Sequence, residues 1–176
     1  MKFQVDSLEP VRKVLRNLAA EYLGTVRQID IYFDTPDGAL RRSDCGLRLR
    51  RSRRLAGPAL PPAGGALLTY KGPRRPHAGC KVREELQTRC DDAEAARRIL
   101  RACGLVETLL IEKRRATYSL AGCLIALDTL PGLGQFIEIE ATDEKKIHSV
   151  RRKLSLTGEP ITATYAELLA ARRKKK

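Results

Sequence analysis

The chain has 176 residues, of which 43% are hydrophobic and 31% charged, a balance typical of one globular domain rather than of a disordered protein. Its 34 Lys and Arg residues against 21 Asp and Glu residues give a net charge of +13, which favours polyanionic partners such as phosphorylated small molecules or nucleic acid. No long apolar run occurs, and the five cysteines and two histidines lack ligand spacing. We therefore expect a cytoplasmic protein without a transmembrane helix, a secretory signal, a disulfide framework or a zinc site.

Two segments, 8–33 and 93–118, resemble each other, since each has the pattern of an amphipathic helix, a glycine near its end and then a strand. The first helix is predicted to begin after Asp6 or Ser7, either of which can cap it, and to end near Gly24. The similarity suggests two equivalent halves of one domain.

The second helix is predicted to begin after Asp91 or Asp92 and to end at Gly104. Its expected apolar face consists of Ala93, Ala96, Ile99, Leu100 and Cys103. The other expected elements are Pro/Gly-rich loops at 55–66 and 72–80, a turn at 132–134, and helices at about 144–155 and 163–173.

The predicted strands alternate between apolar and charged residues, so each strand has one face of each kind. In one of them Leu47 and Leu49 alternate with Arg48 and Arg50. The same pattern in 2–5, 80–87, 111–120, 124–128 and 136–140 places on charged faces Lys2, Lys81, Arg83, Glu85, Lys113, Arg115, Asp128, Glu138 and Glu140. Such faces are either solvated, as on many antiparallel sheets, or directed into a cavity.

The uniform sets on these faces, Arg-x-Arg, Lys-x-Arg and Glu-x-Glu, favour the cavity. If the strands curl into a barrel with their charged faces inward, cations and carboxylates line one interior space. Arg and Lys suit a chain of phosphates, and carboxylates suit a hard divalent metal that bridges to phosphate oxygens. The pattern therefore predicts a site for a phosphate chain together with Mg²⁺ or Mn²⁺.

Several short motifs follow one another along the chain. They lie at 47–50, 69–73, 83–85, 112–115, 127–128, 133–140 and 165–169. In this order they resemble the CYTH superfamily, also called the triphosphate tunnel metalloenzymes, which includes class IV adenylyl cyclases and thiamine triphosphatases. The segment 112–115 joined to 133–140 is most similar to the class IV cyclases.

The resemblance implies an α+β fold over residues 1–170, followed by a basic tail at 171–176. Its centre is a closed eight-stranded antiparallel β-barrel with flanking helices. The lumen of this barrel is a charged tunnel that binds triphosphates and a divalent metal.

The resemblance also assigns roles by position. The implied phosphate ligands are Lys2, Arg48, Arg50, Lys71, Arg83, Lys113 and Arg115, of which Lys113 and Arg115 are also expected to act in catalysis. The implied metal ligands are Asp128, Glu138 and Glu140, with Glu85 as a second-site or orienting ligand. Rim or surface positions are assigned to Arg51, Arg53, Arg54, Arg74 and Arg75.

Two structural alternatives stay open. Arg83 and Glu85 form an ion pair in one, and Asp128 caps the turn before Pro131 in the other.

The family signature begins with Glu-x-Glu-x-Lys, and Lys2 matches its lysine while Met1 stands directly before it. The two glutamates, which help to bind metal, would precede Met1. We expect in-frame codons upstream of Met1 to encode them, because a strand is already predicted at Lys2. A chain that truly lacks them would bind triphosphates but turn them over poorly.

The resemblance leaves two reactions open. In one, the 3′-hydroxyl of ATP attacks the α-phosphorus and pyrophosphate leaves; in the other, water hydrolyses thiamine triphosphate, a nucleoside triphosphate or tripolyphosphate. A non-catalytic module that binds polyphosphate or RNA is the alternative from another class. Nucleic acid is disfavoured because residues 41–54 carry seven Arg and no aromatic residue. No membrane partner is expected, and a homodimer is left open.

Overall fold

The computed structural model describes residues 1–58, 65–77 and 80–173. In these ranges the strands are β1 (Lys2–Val5), β2 (Glu21–Asp34), β3 (Gly46–Ala56), β4 (Ala66–Lys71), β5 (Arg75–His77), β6 (Cys80–Val82), β7 (Glu85–Cys90), β8 (Val106–Leu120), β9 (Cys123–Leu130) and β10 (Gly134–Glu140). The helices are α1 (Glu9–Asn17), α2 (Ala39–Arg42), α3 (Ala93–Ala102), α4 (Glu144–Lys153) and α5 (Tyr165–Arg173). None of these helices combines the length and apolar composition that crossing a membrane requires.

Eight of the strands form one antiparallel sheet in the order β1-β10-β9-β8-β2-β3-β4-β7, while β5 and β6 pair with each other. The register places Lys2 opposite Glu138 and places Arg115 opposite Asp128. The sheet and its helices confirm the expected α+β class and strand number. Closure of the sheet into a barrel stays a prediction.

The chain divides into two compact units, each with its own apolar core. Unit 1 contains the described residues of 1–27, 54–60 and 113–176, and unit 2 contains those of 28–53 and 61–112. In unit 1, Leu15 of α1 and Val150 of α4 are fully buried in a core that includes Ile137 of β10. In unit 2, α3 packs against a core that includes Leu49 of β3.

The two cores follow from the alternation that the sequence predicts. Phe3 and Ile137 are buried in the core of unit 1, while Lys2 and Glu138, one residue away on the same strands, lie on the opposite face. Because each fully buried large apolar side chain contributes about 1.5–3 kcal/mol, the helices stabilise this choice of face strongly.

The first helix ends earlier than predicted. It stops at Asn17 rather than near Gly24, and Ala19 then takes the left-handed conformation (φ 50°) that was expected of a glycine. Gly24 lies inside β2 instead. A glycine near an apolar run was therefore a poor signal of the helix end here.

The second helix begins and ends as predicted. Asp92 caps α3 by accepting hydrogen bonds from the backbone N–H groups of Glu94 and Ala95, and the positive φ of Gly104 follows its end. The predicted apolar face was wrong at two positions, because Ile99 is 62% exposed and Cys103 is exposed as well. The helices predicted at about 144–155 and 163–173 are confirmed as α4 and α5.

The strand predicted at 80–87 was wrong, because residues 83 and 84 interrupt it between β6 and β7. The predicted loop at 72–80 contains β5, and its residues 78 and 79 lie outside the described residues. The predicted loop at 55–66 is also only partly described, since residues 59–64 lie outside that part of the chain. The turn predicted at 132–134 is confirmed by a hydrogen bond from the N–H of Leu133 to the carbonyl of Leu130.

Replacing Asp92 by Ala removes the side-chain acceptor at the start of α3 and should lower the free energy of unfolding by about 0.5–2 kcal/mol. Urea denaturation followed by circular dichroism measures this loss. Asp91→Ala is the matched control, because Asp91 precedes the cap position; equal losses for the two variants would contradict the capping role of Asp92.

Candidate functional site

The charged face of unit 1 contains one connected group of polar side chains, which we call the unit 1 cluster. It consists of Lys2, Lys113, Arg115, Asp128, Glu138 and Tyr165. Four neighbouring strands and the first residue of α5 supply these side chains. The cluster therefore depends on strand register rather than on one local motif.

Asp128 is the centre of this cluster and has no exposed surface. The guanidinium of Arg115 donates to it through Nε at 2.7 Å and also through Nη2, Lys113 Nζ donates at 3.2 Å, and the Tyr165 hydroxyl donates at 2.9 Å. Since Asp128 lies inside β9, the alternative that it caps the turn before Pro131 was wrong.

Glu138 is joined to Asp128 through a shared cation. Nη2 of Arg115 contacts carboxylate oxygens of both residues. On its other side, Glu138 lies 3.4 Å from Lys2 Nζ, which also donates to the carbonyl oxygen of Ala163 at 3.0 Å. One guanidinium thus holds together two carboxylates that would repel each other if they were alone.

These contacts decide the charge of the carboxylates. Burial by itself raises the pKa of Asp128, but the hydrogen bond and charge of Arg115, the charge of Lys113 and the Tyr165 hydroxyl outweigh it and hold the pKa at about 2. The pKa of Glu138 is likewise lowered, because Arg115 and Lys113 outweigh its burial. Both groups are therefore anionic at neutral pH.

Tyr165 is a member of the cluster that sequence reasoning missed. Its ring centroid lies 4.0 Å from Lys2 Nζ and 5.0 Å from Lys113 Nζ, and its edge meets Phe136 at 5.1 Å between centroids. Burial and the nearby charge of Asp128 raise its pKa, so it stays a neutral donor. The only sequence signal was its place at the start of the predicted closing helix.

The predicted metal ligands are not all brought together. Glu140 is exposed on β10, and Glu85 belongs to unit 2, where it contacts Lys71. In the part of the chain that the structure describes, no group of three or more His, Cys, Asp or Glu side chains is placed to hold a metal ion. Asp128 and Glu138 remain as two adjacent hard carboxylates, the type of ligand of which Mg²⁺ usually binds one or two. A metal there would replace hydrogen bonds that Asp128 now accepts from Lys113 and Tyr165.

The charged face of unit 2 contains a second group, the unit 2 cluster, made of Asp30, Arg48, Arg50 and Thr69. Arg50 donates to Asp30 through Nε at 2.6 Å and Nη2 at 2.7 Å. Arg48 lies 3.6 Å from the same carboxylate and donates to Thr69 at 3.3 Å. Nε of Arg48 is buried with no hydrogen-bond partner, an arrangement that leaves a donor available to an anion or a water.

Asp30 was also missed by sequence reasoning. The signal was present, because Gln28, Asp30 and Tyr32 alternate with apolar residues along β2 in the same way as the recognised charged faces. The polar face of β2 therefore belongs to the same pattern.

The other predicted phosphate ligands of unit 2, Lys71 and Arg83, are partly buried and form ion pairs. Lys71 contacts Glu85, and Arg83 lies 3.6 Å from Asp44, so the alternative that Arg83 pairs with Glu85 was wrong. Asp44 also accepts hydrogen bonds from the backbone and side chain of Arg74, which lower its pKa to about 2.

Of the positions expected at the rim, four have described side chains; three of these are exposed, whereas Arg74 is partly buried and pairs with Asp44. The exposed ones are Arg51, Arg53 and Arg54. The side chains of Arg75 and Lys81 lie outside the described part. By contrast Arg48, Lys113 and Asp128 are buried, so the alternative that every charged face is solvated was wrong.

Comparison with known proteins gives consistent matches along the whole domain. The CYTH domain matches residues 1–162. "Putative adenylate cyclase MJ0240" of Methanocaldococcus jannaschii is 30% identical over 153 residues, which are 87% of this chain and 79% of that protein. "Adenylate cyclase CyaB" of Aeromonas hydrophila is 31% identical over 141 residues, 79% of this chain and 66% of that protein. The solved structure of the PH1012 protein from Pyrococcus horikoshii has a TM-score of 0.76 at 26% identity and covers 95% of this chain and 96% of that chain.

Replacing Asp128 by Asn should lower the free energy of unfolding at pH 7 by about 3–5 kcal/mol, because Arg115 and Lys113 lose their buried counter-charge. The native pKa of about 2 lies below the ordinary 3.8, so this carboxylate stabilises the fold above about pH 5, and its contribution is lost as the pH falls towards 2. Asp128→Asn should therefore also flatten the acid limb of stability by on the order of 2 kcal/mol.

Urea denaturation between pH 2.5 and pH 7 (roughly the interval in which this carboxylate matters) measures both effects. Glu140→Gln is the matched control, because Glu140 is exposed on the strand that carries Glu138. A control that loses as much stability as Asp128→Asn would contradict the central place of Asp128.

Proposed function

Because the chain belongs to the CYTH domain family, we propose that it is an enzyme that binds a triphosphate compound and converts ATP to cyclic AMP and pyrophosphate. The names of the two relatives, "Putative adenylate cyclase MJ0240" and "Adenylate cyclase CyaB", support the choice of reaction. The single observation that carries the proposal is the charged face of each unit, where buried and partly buried cations and carboxylates are packed together.

The net charge of the unit 1 cluster favours a polyanionic ligand that binds together with a metal cation. Three cations (Lys2, Lys113, Arg115) against two carboxylates (Asp128, Glu138) leave one net positive charge. A triphosphate carries several negative charges, so this cluster alone does not neutralise it. A divalent metal bound to the phosphates offsets two more of these charges.

The implied cofactor is therefore Mg²⁺ or Mn²⁺, and Asp128 and Glu138 are the residues that would hold it. When bound, such a metal polarises phosphate oxygens and stabilises the charge that develops on them. Lys2 and Lys113 bind phosphate oxygens as point charges, and Arg115 binds them through its fork.

The reaction needs no protein nucleophile. The 3′-hydroxyl of ATP attacks the α-phosphorus and gives up its proton to water. The bond from that phosphorus to the bridging oxygen breaks, and pyrophosphate leaves with the electron pair. Lys113 and Arg115, the proposed catalytic residues, stabilise negative charge on the phosphate oxygens as this bond breaks. The barrel and charged tunnel implied by the family resemblance are part of this proposal, and the eight-stranded sheet is compatible with them.

Incubation of the purified chain with ATP and Mg²⁺ or Mn²⁺ tests the reaction, with products separated by ion-exchange chromatography. We expect cyclic AMP and pyrophosphate in equal amounts, and loss of turnover when EDTA removes the metal. ADP with inorganic phosphate would reject cyclisation in favour of hydrolysis. Binding of ATP without any product would favour a non-catalytic triphosphate-binding module.

A matched pair of variants tests whether Arg115 takes part. Arg115→Lys keeps the charge but loses the fork, so turnover should fall by roughly tenfold or more. Arg114 is exposed on the other face of β8, so Arg114→Lys should leave turnover unchanged.

In unit 2, Arg50 and Arg53 test whether the charged face or a diffuse basic surface binds the phosphates. Arg50→Ala should weaken binding of tripolyphosphate by roughly ten- to a hundredfold, because it removes a charge-assisted contact and leaves Asp30 with less counter-charge. Arg53 is exposed, so Arg53→Ala should change the affinity several-fold at most, and less at high salt. Calorimetry at low and high salt measures both; equal, salt-sensitive losses would indicate a diffuse surface.

A further inference from the structure

The ammonium groups of the unit 1 cluster are covered by the C-terminal part of the chain. Lys113 is 2% exposed and Tyr165, which lies against it at the start of α5, is 8% exposed. Asp128, to which both side chains donate, has no exposed surface. A phosphate oxygen cannot reach the Lys113 ammonium group while this packing persists.

The residues that cover the cluster also make contacts to the Lys2 ammonium group that a bound phosphate would need to make. Lys2 Nζ donates to the carbonyl oxygen of Ala163 at 3.0 Å and lies 4.0 Å from the ring centroid of Tyr165. Both partners are neutral, and each presents partial negative charge to the ammonium group. Ala163 and Tyr165 thus supply contacts to the Lys2 ammonium group of the kind that phosphate oxygens could replace.

We propose that Tyr165 is an internal occupant of the phosphate site and that a triphosphate displaces it, so that binding is coupled to release of α5 from unit 1. The inference rests on the proposed function, since it assumes that Lys2 and Lys113 bind phosphate. A charged phosphate oxygen interacts more strongly with an ammonium group than a carbonyl or an aromatic face does, so the ligand can drive the exchange.

Tryptophan at position 165 reports this displacement, because the chain contains no Trp of its own. In Tyr165→Trp the emission of the free protein should be that of a buried indole. Addition of tripolyphosphate with Mg²⁺ should shift it to longer wavelength and increase quenching by acrylamide. Unchanged emission while calorimetry detects binding would overturn the inference.

Tyr118→Trp is the matched control. Tyr118 lies on β8 and packs against the apolar core of unit 1, on the face opposite Lys113 and Arg115. Its emission should stay constant when tripolyphosphate binds. A shift of equal size in both variants would indicate a general rearrangement of unit 1 and would overturn a local displacement.

The affinity of Tyr165 variants for tripolyphosphate distinguishes displacement of Tyr165 by the ligand from direct contact between Tyr165 and the ligand. Tyr165→Ala removes the competing occupant and should bind tripolyphosphate about tenfold more tightly, whereas a residue that contacts the ligand would give weaker binding when removed. Tyr165→Phe keeps the ring and loses only the hydrogen bond to Asp128, so its affinity should lie between those of Tyr165→Ala and the unchanged chain.

Hydrogen exchange on the unchanged chain covers the case in which Tyr165→Ala does not fold. A nine-residue helix is marginal in water when it leaves its domain, so the amides of α5 should exchange faster once tripolyphosphate is bound. Constant or increased protection of α5 in the complex would overturn the inference. If calorimetry detects no binding of tripolyphosphate at all, the proposed function itself fails, which distinguishes the two.

Discussion

Arg115 is the residue on which the arrangement of charges in the unit 1 cluster depends. Two buried carboxylates on adjacent strands would repel each other and favour protonation if nothing lay between them. The guanidinium donates to both Asp128 and Glu138, so the two carboxylates remain ionised, and the ammonium group of Lys113 also approaches Asp128. In other proteins, replacing a buried ion network by apolar residues is often neutral or stabilising, so the network by itself is weak evidence for a stabilising role.

Burial of the apolar cores places these charged residues on the opposite face of the sheet. Helices cover one face of the sheet in each unit and bury the alternate residues of its strands, among them Ile137 in unit 1 and Leu49 in unit 2. Strand geometry then directs the intervening residues to the opposite face, whatever their charge. Clusters of opposite charges form there because each buried charge must be paired or hydrogen-bonded.

The alternation along strands could be predicted from the sequence because it depends on a period of two residues and not on distant contacts. The separation of Arg48 and Arg50 from Arg51 and Arg53 is an example, since Arg48 is buried and Arg50 partly buried while the other two are exposed. The cap of α3 was also predictable, since Asp92 acts on backbone groups two and three residues away. The end of α1 was not, because Ala19 takes a conformation that no local signal favours.

The sequence by itself therefore determined which residues share a face, which segments form the main helices and which family the motifs resemble. Only the tertiary structure decided how the charges pair. Asp30 accepts a hydrogen bond from Arg50, and Asp44 forms an ion pair with Arg83. The Tyr165 hydroxyl donates to Asp128, which lies 37 residues away in the sequence. Such partners are set by strand register and by where α5 packs, and these depend on the burial of both cores at once, which no short window of sequence contains.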